Sequence, residues 1–299
     1  MIYHGWLILD KPKGVTSASV LNTLKKIIGR QKVGHLGTLD ALATGVLPVA
    51  LGEATKLIPF IKNEEKTYLF TIHWGEKRST GDAKGEILAT SNNRPTRKEI
   101  ENILSSFLGP QLQKPPLYSA LKIEGKRASD RVRAGETLDL KPRPIFIQSL
   151  DLIEYIDADH AKLRLHCSKG TYVRSLIEDM AQKLSTYAFA DNIHRESSGN
   201  FNIKDAISIE TLAKDPINLL ERYVRALPVV LDDIPAMRVD DEKALLLRQG
   251  RFLARPSSEL EGNLTPSDCL IALYDEQNRL LGIAKDQGNQ IRPIRILNL

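Results

Sequence analysis

Cysteine is nearly absent from this chain: there are two in 299 residues, Cys167 and Cys269, far apart and with no C-x-x-C. That excludes a disulfide framework and a zinc ribbon and leaves both thiols to be read as small buried hydrophobes. Aromatic residues make up only 6%. No apolar stretch reaches membrane-spanning length. The short run from Trp6 to Leu9 is cut off by Asp10-Lys11-Pro12, which is too soon for a signal peptide. A cytoplasmic protein is the expectation. Also missing are a G-x-G-x-x-G turn between strand and helix, a Walker loop and any cluster with metal-ligand spacing. No cofactor and no metal are therefore expected, and any chemistry has to run on protein side chains.

What is present reads as an ordinary globular chain, with 42% hydrophobic and 26% charged residues. Its length suffices for one large core plus a small domain. The net charge is +5, which favours an anionic partner. The surplus is uneven. Residues 1–238 hold 34 Lys and Arg against 28 Asp and Glu, whereas residues 239–299 hold 8 against 9. The basicity belongs to the first part.

Along the chain, Trp6–Leu9 reads as a buried strand ending in the turn Lys11-Pro12-Lys13-Gly14. Ser17 is placed to cap a helix on which Val20, Leu21, Leu24, Ile27 and Ile28 recur at helical spacing. The opposite face holds Lys25 and Lys26, followed by Arg30, either a solvated face or a phosphate contact. A short helix is expected from Gly52 to about Ile61, then a strand over Lys66–Trp74. Thr96, with Glu99 three residues on, opens a helix by a capping box and carries it to Leu108. Residues 113–145 are rich in proline and charge, with eight Lys and Arg against four acids and little periodicity. Such a segment inside a compact domain is usually functional or mobile. Ile145–Tyr155 and His160–Cys167 form a hairpin pattern, Thr171–Leu184 a helix, and 187–195 and 200–204 strands. From about residue 236 the texture changes to a helix over Asp240–Gln249 and short strands near 270–275, 279–285 and 291–297. Strands and helices without regular alternation predict an α+β fold with a mixed, largely antiparallel sheet flanked by helices. The expected division is 1–237 and 238–299.

Chemistry concentrates at residues 34–52, Gly-His-Leu-Gly-Thr-Leu-Asp-Ala-Leu-Ala-Thr-Gly-Val-Leu-Pro-Val-Ala-Leu-Gly. One carboxylate, Asp40, stands among apolar residues and glycines. A lone Asp in such a loop is most often a turn former. A half-buried one is costly unless a cation pairs with it, which marks it as a candidate site. The whole run resembles the catalytic motif of the TruB family of tRNA pseudouridine-55 synthases. Leu36 stands where that family commonly has Thr, and Ala41 where it commonly has Pro.

The resemblance implies a pseudouridine synthase fold, a small PUA-like β-rich domain at the C-terminus, and Asp40 as nucleophile on a flipped-out uridine. It also assigns further residues. In Lys169-Gly-Thr-Tyr-Val-Arg-Ser-Leu176, Arg174 would pair with Asp40 and Tyr172 would line the same pocket. Tyr68, in Lys66-Thr-Tyr68, would be the platform for the target base. Ile193 would pack on that base, ahead of His194, where the family more often has Arg. Lys11 with Pro12 matches a first motif that supports the loop behind Asp40 and is grouped with the substrate-binding residues. His35 would contact RNA near the vacated base position. Residues 113–145, with Lys122, Lys126 and Arg127, resemble an RNA-clamping insertion, although Ser129 replaces the Tyr usual there.

The implied activity is conversion of uridine 55 in the T-arm of tRNA to pseudouridine by a monomer with no membrane or protein partner. Competing base chemistry lacks its residues. A zinc deaminase needs H-x-E and P-C-x-x-C, and a cysteine-dependent methyltransferase needs a donor site beside Cys167. Two alternatives share the same charges: a non-catalytic RNA-binding or tRNA-folding protein, and a same-family synthase with another RNA target. An intact set of Asp40, Tyr68 and Arg174 favours the enzyme.

Overall fold

The computed structural model describes residues 2–61, 65–255, 260–261 and 269–299. A ten-stranded sheet forms its centre. The main strand order is Ile207–Ser208, Gly5–Lys11, Thr44–Leu51, Ala188–Ser198, Lys66–Trp74, His160–Cys167, Arg143–Tyr155 and Gly109–Gln113. Val33–His35 adds to Thr44–Leu51, and Phe201–Asn202 to Ala188–Ser198. Only two pairings are parallel, Gly5–Lys11 with Ile207–Ser208 and Thr44–Leu51 with Ala188–Ser198. The sheet is mixed and largely antiparallel, as the pattern predicts.

Period-two alternation distributes the first strand between two cores. Leu7 and Leu9 join one apolar cluster, together with Leu47, Val49, Tyr68, Phe70 and Leu176. Trp6 and Ile8 point to the other face, with Val46, Ala50 and Leu57. On the first face lie the helices Ser17–Ile28 and Val173–Lys183, which bury Val20, Leu21 and Leu24, and Leu176, Ile177 and Met180. On the second face lies a six-stranded sheet, ordered Leu253–Ala254, Gln290–Ile296, Leu280–Asp286, Leu270–Tyr274, Ala236–Arg238 and Leu260–Glu261. Ala272, Leu280, Ile283 and Leu297 from this part belong to the same cluster as Trp6 and Ile8. The division expected after residue 237 falls inside Ala236–Arg238, which pairs with the second sheet.

Several local expectations shift. Thr16, not Ser17, caps the first helix, accepting from Ser19 N; the Ser17 hydroxyl is used elsewhere. The Thr96 capping box with Glu99 is present, but its helix covers Arg97–Leu104 before a 3₁₀ turn over Ser105–Phe107. The helix expected after Gly52 is two 3₁₀ turns, Gly52–Lys56 and Ile58–Phe60. The strand expected over 200–204 shortens to Phe201–Asn202, with a 3₁₀ turn at Ile203–Asp205. Cys167 is buried, whereas Cys269 is only partly so. Residues 113–145 contain a minimal hairpin, Lys122–Ile123 with Lys126–Arg127, and a short helix Ala128–Arg133. No helix among the described residues is long and apolar enough to cross a membrane.

Candidate active site

Asp40 sits in the loop between Val33–His35 and Thr44–Leu51, at the head of the central strands. Four attachments fix this loop. Ser17 Oγ donates to the Leu39 carbonyl at 3.1 Å and accepts from Leu39 N at 3.0 Å. Gly14 N donates to the Ala41 carbonyl at 2.7 Å, and Ala43 N to that of Asp40 at 3.1 Å. From beneath, Arg195 donates to the Gly37 carbonyl (3.2 Å) and the Val46 carbonyl (2.8 Å). Gly45 admits this arrangement: at φ 97° its strand passes so close that a Cβ would lie 2.3 Å from the Arg195 carbonyl oxygen.

Arg174 lies in the first turn of Val173–Lys183 with its side chain 4% exposed. Its Nε is 2.8 Å from Asp40 Oδ2, an ion pair out of hydrogen-bond alignment. Its Nη1 donates to the Thr80 carbonyl at 2.7 Å and Nη2 to the Tyr118 carbonyl at 2.9 Å. The guanidinium is thus held by the sheet-side turn and the start of the insertion, and it pins the carboxylate between them. Asp40 itself keeps 38% of its side chain exposed, so it is anchored yet reachable.

Asp40 opens onto a cavity of about 400 Å³ lined also by Tyr68, Tyr172, Arg174 and Ile193. Tyr68 and Ile193 come from adjacent strands that pair antiparallel, which sets both beside the carboxylate. Burial pushes the Tyr68 phenol up to about 12, against the neighbouring Arg195 charge, so the ring presents a neutral face. Tyr172 is fixed through its backbone, whose N donates to Gln113 Oε1 (2.8 Å) and whose carbonyl accepts from Gln113 Nε2 (3.1 Å). On the other side of Asp40 and Arg174 a second recess of about 340 Å³ includes His35, Lys84, Arg127 and Arg133. Burial, with Arg195 and Arg127 nearby, lowers the pKa of His35.

Not every expected residue meets here. Lys11 is fully buried, its Nζ donating to the carbonyls of Pro12 (2.9 Å) and Val15 (2.8 Å). Burial lowers its pKa to about 8. It braces the turn under the loop behind Asp40 and does not line the cavity. Lys122 and Lys126 are exposed on the small hairpin, outside the cavity. His194 shares a hydrogen bond with Thr44 Oγ1 at 2.8 Å, so it ties two strands together. Ser17 and Arg195 are the residues that sequence reasoning missed. Lys66 and Lys169 also line the cavity. The one available signal was an arginine at an inward position of a strand.

The family model described as TruB family pseudouridylate synthase (N terminal domain) matches residues 25–173. A tRNA pseudouridine synthase B from Caulobacter sp. is 42% identical over 99% of this chain and 96% of that protein. One from Zymomonas mobilis is 46% identical over 93% of this chain and 95% of that protein. Among solved structures, a chain of an H/ACA RNP bound to a substrate RNA containing 2'-deoxyuridine superposes with TM-score 0.75 at 21% identity, covering 99% of this chain and 86% of that one. A chain of a Cbf5-Nop10-Gar1 complex does so with TM-score 0.75 at 24% identity, covering 98% and 84%. These two establish likeness of fold.

Proposed function

The chain belongs to the TruB family of pseudouridylate synthases, and on that footing we propose that it isomerises uridine 55 in the T-arm of tRNA to pseudouridine, with Asp40 as the nucleophile. The observation that carries this reading is the Asp40–Arg174 ion pair at the mouth of a cavity walled by Tyr68 and Ile193. A duplex or folded loop hides its base, so the uridine has to be flipped out before chemistry. A cavity of about 400 Å³ has room for one pyrimidine nucleotide. Tyr68 gives the base a flat aromatic wall and Ile193 an apolar one.

Arg174 sets its Nε 2.8 Å from Asp40 Oδ2 beside the cavity and so orients the oxygens that a nucleophilic carboxylate has to present. The glycosidic C1′–N1 bond breaks, the uracil turns, and a C1′–C5 bond forms while C5 loses its proton and N1 gains one. Nothing is oxidised or reduced, so no donor or acceptor is called for. A tRNA substrate supports a cytoplasmic setting. The test is to incubate the protein with unmodified tRNA and map pseudouridine by position. Product at position 55 is expected; product only elsewhere would assign another target, and none would leave the RNA-binding alternative.

The clamp role of residues 113–145 has its own measurement. Lys122, Lys126 and Arg127 are exposed and none has a carboxylate within ion-pair distance among the described residues. Phosphate contacts release counterions, so affinity falls with salt at a slope of about 0.7–0.9 per contact. Changing all three to Gln is expected to flatten the slope for tRNA by roughly 2. An unchanged slope would make the segment a loop irrelevant to binding.

A further inference from the structure

Arg195 is 0% exposed, and none of the described carboxylates forms an ion pair with it. A guanidinium placed so deep without a counter-charge is costly and persists only when something specific holds it. Two carbonyls do so on one side, those of Gly37 in the catalytic loop and Val46 in the central strand. Its strand position explains the rest. Arg195 pairs across one ladder with Tyr68 and across the other with Gly45, so it stands between the aromatic wall and the start of the strand that follows Asp40. Its Nη1 closes no aligned hydrogen bond, and Tyr68 stands directly opposite it in the antiparallel ladder, where paired side chains share one face of the sheet. A Cβ on Gly37 would come within 3.3 Å of that same Nη1.

Resting on the proposed function, we infer that Arg195 is a positioning residue for the reaction: through its planar fork it fixes the Tyr68 phenol and the Asp40 loop relative to each other. Tyr68 places the flipped base and the loop places the carboxylate, so the fork sets the approach of nucleophile to substrate from below. Arg174 fixes the carboxylate from the insertion side. The two arginines do different work, because Arg174 touches the reacting group and Arg195 acts only through Tyr68 and the loop. A lysine has one ammonium and no planar fork, so it cannot serve these sites together.

The experiment compares Arg195→Lys in two backgrounds, with Tyr68 and with Tyr68→Phe, by single-turnover pseudouridine formation and by tRNA affinity. With Tyr68 present, the rate is expected to fall by about tenfold or more, as small displacements of reacting groups do, while affinity changes by less than about threefold. In the Tyr68→Phe background the phenol is gone, and the further loss is expected to shrink at least about threefold, the coupling of contacting residues. Losses of equal size in both backgrounds, a rate within about twofold of the parent, or a parallel loss of affinity would each overturn the inference. Arg195→Gln repeats the comparison if the lysine variant does not melt cooperatively. If neither folds, Arg195 is a core residue only and the inference fails. Product formation by the unmodified protein is measured alongside, so failure of the enzyme reading shows separately.

Discussion

Asp40→Asn is expected to abolish pseudouridine formation, lowering the single-turnover rate by at least about 10⁴-fold, while tRNA affinity stays within a few-fold. The magnitude follows from removing a nucleophile outright, which costs a covalent protease about 10⁶. Asn keeps the size and one oxygen of the carboxylate, so the loop has no steric reason to move. Its anchors are backbone groups, Leu39 on Ser17, Ala41 on Gly14 and Gly37 on Arg195, and none of them uses the carboxylate. Arg174 loses its counter-charge but retains the Thr80 and Tyr118 carbonyls, so it remains in place. On the proposed reading RNA affinity rests on the exposed cations of residues 113–145 and is spared. Turnover near the parent rate would remove Asp40 from the nucleophile's role. A parallel collapse of binding would instead make Asp40 a structural hinge of the cleft.

The sequence made some of this legible and hid the rest for identifiable reasons. The loop at 34–52 announced itself because a carboxylate among glycines and leucines is a local anomaly. Arg174 and Tyr68 were legible through resemblance, since an arginine in a helix or a tyrosine in a strand is unremarkable by itself. The strand Thr44–Leu51 was hidden inside that loop. Both of its faces are buried, Leu47 and Val49 on one and Val46 and Ala50 on the other, so it shows an apolar run instead of alternation. Pro48 also argues against a central strand. It is tolerated where the strand changes partner, from Ala188–Ser198 at Thr44 and Gly45 to Val33–His35 at Val49–Leu51. Ser17 looked like a helix cap because it has the chemistry for one; Thr16 beside it has the same chemistry and takes the place. Arg195 escaped because burial of a charge depends on carbonyls from positions 37 and 46, which only the fold brings together.

Removing residues 236–299 is expected to leave a chain that is largely unfolded or aggregated near 37 °C, and not merely one with weaker RNA affinity. The composition argued for a separable part, because the positive surplus and all of Asp40, Tyr68 and Arg174 lie before it. The packing argues against separability. Trp6, Ile8 and Val46 belong to the strands that carry the catalytic loop, and they share a cluster with Ala272, Leu280, Ile283 and Leu297. Two polar ties cross as well, Lys56 Nζ to the Ile296 carbonyl at 3.2 Å and Asn298 N to Glu53 Oε2 at 2.7 Å. Uncovering Trp6, Ile8 and Val46 costs about 1.5–3 kcal/mol each. Their sum is comparable with the whole stability of a typical domain, about 5–15 kcal/mol. A milder variant separates the two effects. Ile283→Ala, fully buried on the second sheet, is expected to lower stability by about 2–5 kcal/mol, read as a lower denaturant midpoint. Its rate with saturating tRNA should stay unchanged below the unfolding transition, because Ile283 lines neither recess beside Asp40. A soluble truncation with an unaltered melting temperature would show that the shared cluster contributes little, and that the second sheet is an appendage after all.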